Sequence, residues 1–122
     1  MKILLDHNVT RLVRPHLLGH DVRTTREQGW DQLANGILLR AAAGGCFDVL
    51  LTTDKKMEYE QNLRRLPLPV VVLDAVSNDL ADLLPFIPAT LALLASGPLA
   101  PALYMIAADG TVTLVTAPRP KP

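Results

Sequence analysis

Three stretches of this chain are apolar without a break and too short for a helix: residues 3–5 (ILL), 49–51 (VLL) and 70–73 (VVVL). A strand that alternates apolar and polar residues keeps one face in water. A strand that does not alternate must be covered on both faces, which happens mainly inside parallel sheets flanked by helices. Between these runs lie helical spacings and turn residues. Leu12, Val13 and Leu17 share one face of a helix capped by Asn8 or Thr10, with Pro15 within it and Gly19 at its end. Residues 20–24 alternate as a short strand, 25–33 read as a loop holding Gly29 and Trp30, and Asn35 opens a helix that stops at Gly44-Gly45. Strand and helix then alternate through 48–53, 55–65 and 68–74. That order predicts an α/β fold, a central, mainly parallel sheet with helices on both faces and right-handed crossovers.

The remainder is a Leu-rich segment, 77–95, which Pro85 and Pro88 must bend or split, and a stretch at 102–116 that reads as a terminal β-hairpin turning at Asp109-Gly110. Residues 1–117 are expected to form a single domain and 118–122 a loose tail. A length of 122 residues suits one such core.

Twelve basic and twelve acidic residues balance, which argues against a protein that holds nucleic acid by bulk charge alone. The bias is local: residues 1–65 hold ten Lys/Arg against eight Asp/Glu, and residues 66–122 two against four. Aromatics are 4% of the chain, too few for a base-stacking platform. The single cysteine, Cys46, forbids an internal disulfide and reads as a small buried residue of a protein from a reducing compartment. No secretory leader and no unbroken membrane-length apolar run is visible, so a cytoplasmic location is expected.

Two of the apolar runs end alike. "MKILLD" closes on Asp6 and "VLLTTD" on Asp54. If the third strand lies beside the first, on the side away from the second, the winding reverses between them, and ligands bind beyond the carboxyl ends at such a point. Asp6 and Asp54 would then face one crevice. Two like charges brought together repel, and Mg²⁺ or Mn²⁺ resolves the conflict with oxygen ligands while activating water against a phosphate. Asn8 and Asn35 are placed to contact a metal-bound water or the substrate, Asp31 and Glu58 are further candidate metal ligands, and Lys55 and Lys56 are placed to receive a phosphate backbone. Each polar residue also has a plain reading: Asn8, Asn35 and Asp54 suit helix caps, Trp30 suits a packing anchor, and His7, His16 and His20 show no metal-ligand spacing and suit the surface.

"LLDHNV", "LLTTDKKM" and the run from "GHDVRTTREQGW" through "LANGILLRAAAGGCFDVLL" to "LPVVVL" resemble, in order and spacing over residues 1–73, a group of short bacterial PIN-like nucleases, many of them VapC-like toxins. The resemblance implies a PIN-like three-layer sandwich and metal-dependent cleavage of RNA, held in check by a protein antitoxin. Asp6 and Asp54 match that family's acids and Asn8 its following polar residue. The departure is at the second helix, where relatives carry an acid and this chain reads Asn35-Gly36-Ile37. A degenerate PIN-like module that binds RNA or a protein without cutting is the alternative. A phospho-accepting receiver domain is a third reading, disfavoured because Asp6 is followed by His7 rather than a second acid and no Lys lies between residues 57 and 120. The Leu-rich stretch 80–103 is either an association surface, for a homodimer or an antitoxin, or is folded by its prolines into two short core helices.

Overall fold

The computed structural model describes residues 1–118. Six strands make one sheet: β1 (Lys2–Leu5), β2 (Asp21–Thr24), β3 (Val49–Thr52), β4 (Val70–Leu73), β5 (Leu103–Ile106) and β6 (Val112–Val115), in the order β2-β1-β3-β4-β5-β6. The first five are parallel, and β5 and β6 form an antiparallel hairpin. The chain is therefore α/β with a mainly parallel sheet, and β3 does lie beside β1 on the side away from β2. The unbroken apolar runs are the inner strands: Ile3, Leu4, Leu5, Val49, Leu50, Leu51 and all of Val70–Leu73 are buried.

Successive residues of each inner strand point to opposite faces and into two separate cores. Ile3, Leu5, Leu51, Val71 and Leu73 pack with Val13, Leu17, Leu83, Phe86 and Leu94. Leu4, Leu50, Val70 and Val72 pack with Leu38, Leu39, Ala42 and Met57. The first face is covered by a 3₁₀ helix (Arg11–His16) and the Leu-rich segment, and the second chiefly by the helix over residues 35–44.

Several local expectations change. The segment after β1 is 3₁₀, capped by the Thr10 side chain, with Pro15 inside it; proline removes a donor that a regular α-helix needs. The expected loop at 25–33 begins with one helical turn, α1 (Thr25–Gln28), fixed by a capping box between Thr24 and Glu27. Next comes α2 (Asn35–Gly44), whose N-cap is Ala34, so Asn35 does not serve as the cap. The helix expected over 55–65 is only α3 (Met57–Glu60). The Leu-rich segment is split near its prolines into α4 (Leu80–Leu83), a 3₁₀ turn (Leu84–Phe86) and α5 (Ile87–Ala95), with Leu83, Phe86, Ile87 and Leu94 in the core. The hairpin loop is longer than two residues. Ala107 N–H donates to Thr111 (2.9 Å) and Gly110 N–H to Ala107 (2.9 Å), with Gly110 at φ +90°, the pattern of a three-residue loop with a glycine bulge.

Cys46 is exposed, not buried, and holds φ +62° just after Gly45 ends α2. The core position belongs to Phe47, which meets the edge of Trp30 at 5.9 Å between ring centres. Trp30 is the packing anchor of its loop, and it presses close enough on Gly45 that a Cβ there would lie 3.0 Å from the indole. Of the expected tail, 118–122, all but Pro118 lies outside the described residues. Among the described residues no helix is long and apolar enough to cross a membrane.

Candidate functional site

The site stands where the winding reverses, at the carboxyl ends of β1 and β3. Asp6 N–H extends the ladder by donating to Leu51 C=O (2.9 Å), which holds Asp6 in register beside the end of β3. The two strands are then joined by one hydroxyl. Thr52 Oγ1 lies 2.8 Å from Asp6 Oδ2 and 3.3 Å from Asn8 Oδ1, and it accepts the backbone N–H of Asp54 at 3.0 Å. A hydroxyl has one hydrogen to give. The shorter contact, to a carboxylate, takes it, and Asn8 Oδ1 is left with Thr53 N–H at 3.3 Å. Thr52 therefore orders Asp6 and Asp54 at once, while Asn8 is held by the backbone of Thr53.

The two acids differ in exposure. The Asp6 side chain is 0% exposed, and its Oδ1 accepts from His7 N–H (2.8 Å) and faces His7 Nδ1 (3.0 Å), while the imidazole itself is 60% exposed. Asp54 is half-buried. Its Oδ1 accepts from Lys56 N–H (3.0 Å), a local turn contact, and its Oδ2 accepts from the Asn35 side-chain amide (3.1 Å). Among the described residues neither acid is paired with a lysine or arginine.

The other expected site residues are placed as follows. The Lys55 ammonium pairs with Asp74 at 2.9 Å, so its charge is directed to the end of β4 rather than to the two acids. Lys56 is exposed and contacts Asp54 through its backbone. Asp31 and Asp6 both line a cleft of about 580 Å³, together with His7, Arg11, Arg14 and Arg26. Glu58 is buried in α3. Neither Asp31 nor Glu58 completes a group of three metal-ligating side chains, and no such group occurs among the described residues.

Thr52, His7 and Asp74 were missed as site residues. The last had a signal, since Asp74 ends an apolar strand as Asp6 does. Thr53 carries the polar edge further, donating to Asn78 Oδ1 at 2.6 Å.

A divalent cation fits the chemistry of the donor set. Asp6, Asp54, Asn8 and Thr52 offer oxygen, the ligand type of Mg²⁺ and Mn²⁺, with His7 and Asn35 presenting nitrogen to the two carboxylates, and among the described residues no lysine or arginine balances those carboxylates. No family model matches the chain, and neither a curated protein nor a solved structure matches it significantly.

Proposed function

We propose that this chain is a PIN-like, metal-dependent ribonuclease, the toxin component of a toxin–antitoxin pair, that hydrolyses RNA phosphodiesters at Asp6 and Asp54. The observation that carries the reading is that the hydroxyl of Thr52, at the switch point of the sheet, bonds the Asp6 carboxylate and accepts the backbone N–H of Asp54, which sets two acids at neighbouring strand ends, neither paired with a lysine or arginine among the described residues. The two separate cores on either side of the sheet support a three-layer PIN-like arrangement. The toxin role rests on the resemblance of residues 1–73.

In this reading Asp6 and Asp54 hold Mg²⁺ or Mn²⁺, with Asn8 beside them. When bound there, such an ion would supply Lewis-acid activation of water and charge neutralisation at a phosphate oxygen. Thr52 keeps the two acids in register. His7, whose ring covers the enclosed Asp6 carboxylate and is itself mostly in solvent, turns outward to admit a ligand. The Lys56 side chain, exposed beside Asp54, receives the phosphate backbone.

A second reading has its own observation. Where the resemblance places an acid, Asn35 donates a neutral amide to Asp54 and satisfies it without a cation, which suits a module that binds RNA or a protein partner and does not cut. Calorimetric titration with Mn²⁺ and digestion of an RNA pool separate the two. The nuclease reading expects Mn²⁺ binding and metal-dependent cleavage, both lost in Asp6→Asn and Asp54→Asn. RNA binding without any cleavage at saturating metal establishes the second reading instead.

A further inference from the structure

A groove of about 320 Å³ runs along α2 on the Asp54 side of the site. Gly36, Leu39 and Arg40 form one wall, and Gln61, Asn62 and Arg65, from the segment after α3, form the other. Among the described residues its lining holds two guanidiniums, two carboxamides and no carboxylate. Neither Arg40 nor Arg65 makes an ion pair among the described residues, whereas Arg14, Arg23 and Lys55 are each matched to an acid. In a chain of zero net charge, two unmatched guanidiniums in one concavity are a local excess. The larger cleft beside Asp6 has no such excess, because its three arginines share it with Asp6, Glu27 and Asp31.

Donors outnumber acceptors in the lining, where the Gln61 carbonyl oxygen is turned towards Gly36. Asn62 Oδ1 already accepts Arg64 N–H (3.2 Å), which leaves its amide hydrogens as donors, and guanidinium only donates. Leu39 and Leu66 beneath are buried. A groove of this kind recognises acceptor oxygens in a planar, bidentate manner, as phosphate presents them.

The groove also connects to the acids. Gly36 directly follows Asn35, whose amide holds Asp54, and α3 begins three residues beyond Asp54. From Asn35 to Arg40 the helix rises about 7.5 Å. We infer that Arg40 and Arg65 seat a phosphate of the RNA strand other than the one being cut, on the Asp54 side of the cleavage point. This rests on the nuclease reading for the phrase "being cut", while the seat itself does not require cleavage.

The experiment uses the Asp54→Asn chain in EDTA, so that nothing is cut, and a short fluorescein-labelled oligoribonucleotide followed by anisotropy across a salt series. Adding R40Q and R65Q together is expected to weaken binding about tenfold at low salt. The slope of log affinity against log salt should fall by about 0.7, one single-strand phosphate contact. R40K/R65K should keep most of that slope, and R23Q, on the far edge strand, should change nothing. Circular dichroism of each variant checks that it is folded; because both arginines are exposed, the lysine pair is expected to stay folded.

An unchanged slope in R40Q/R65Q, or an absence of RNA binding by the parent, overturns the proposal. So does complete displacement of the RNA by inorganic phosphate at its own low millimolar level, which would mark a free-phosphate pocket. In the unmodified chain with Mn²⁺, the same double substitution should raise KM and leave kcat. Arginine-dependent binding with no cleavage refutes the nuclease reading alone. Cleavage with unaltered KM and salt slope refutes the phosphate seat alone.

Discussion

At the end of β1 the carboxylate of Asp6 is sealed from solvent and holds hydrogen bonds on both oxygens. One strand away, at the end of β3, Asp54 is half-buried and is held by a backbone N–H and a neutral amide. The first acid is a structural commitment. Removing any of its partners leaves a charge in a poorly solvated place. The second can gain or lose a ligand at little cost to the fold. A site assembled this way has one acid that sets geometry and one that is free to respond to what arrives.

The largest test of that contrast is Thr52→Val. It keeps the shape of the residue and removes the donor to buried Asp6, and the expected loss is about 3 kcal/mol in urea unfolding. Asn35→Ala, which removes the partner of the half-buried acid, should cost no more than about 1 kcal/mol. Equal losses in the two variants would break the comparison.

Asn35→Asp comes next. It replaces a donor to Asp54 with a second negative charge, so the metal-free protein should lose about 1–2 kcal/mol. Mn²⁺ at one hundred times its dissociation constant should return about 2.7 kcal/mol, seen as a rise in melting temperature larger than in the parent. No metal-dependent recovery would mean that the acids do not share an ion.

His7→Ala removes one of three contacts to Asp6 and uncovers it. A loss of about 1 kcal/mol with tighter Mn²⁺ binding by calorimetry is expected; weaker binding would make the imidazole a ligand rather than a cover.

The smallest effect lies away from the site. His20 Nδ1 faces the Met1 ammonium at 2.9 Å, and burial first, then that charge, lower its pKa from the usual 6.5. The unfolded chain therefore binds the proton more readily than the folded one. The stabilising contribution is present above pH 6.5 and fades as pH falls through the lowered value. Urea midpoints compared at about pH 7.5 and about pH 5 should differ less in His20→Asn than in the parent.

Much of this arrangement was legible in the residues. Unbroken runs at 3–5, 49–51 and 70–73 required cover on two faces, and the aspartates after the first two, Asp6 and Asp54, pointed to the same edge. The capping role given to Asn35 was not borne out, because Ala34, which has no capping side chain, occupies the N-cap position of α2 while Asn35 turns to Asp54 across nineteen residues of chain. Cys46 looked buried by type, yet Phe47 took the core position once Gly45 had let Trp30 approach. The hairpin was visible at 102–116, but its parallel pairing with β4 depends on partners far away in sequence.

What the sequence determined by itself is the alternation of strands and helices and the position of an acid after β1 and β3, because period, length and apolar continuity are local properties. Tertiary structure alone decided that Thr52 would be the shared partner, that Asp6 would be sealed while Asp54 stayed half open, and that Lys55 would turn to Asp74. Those outcomes depend on which strand ends lie side by side and how deeply each carboxylate is desolvated. Such distances exist only once the sheet has closed.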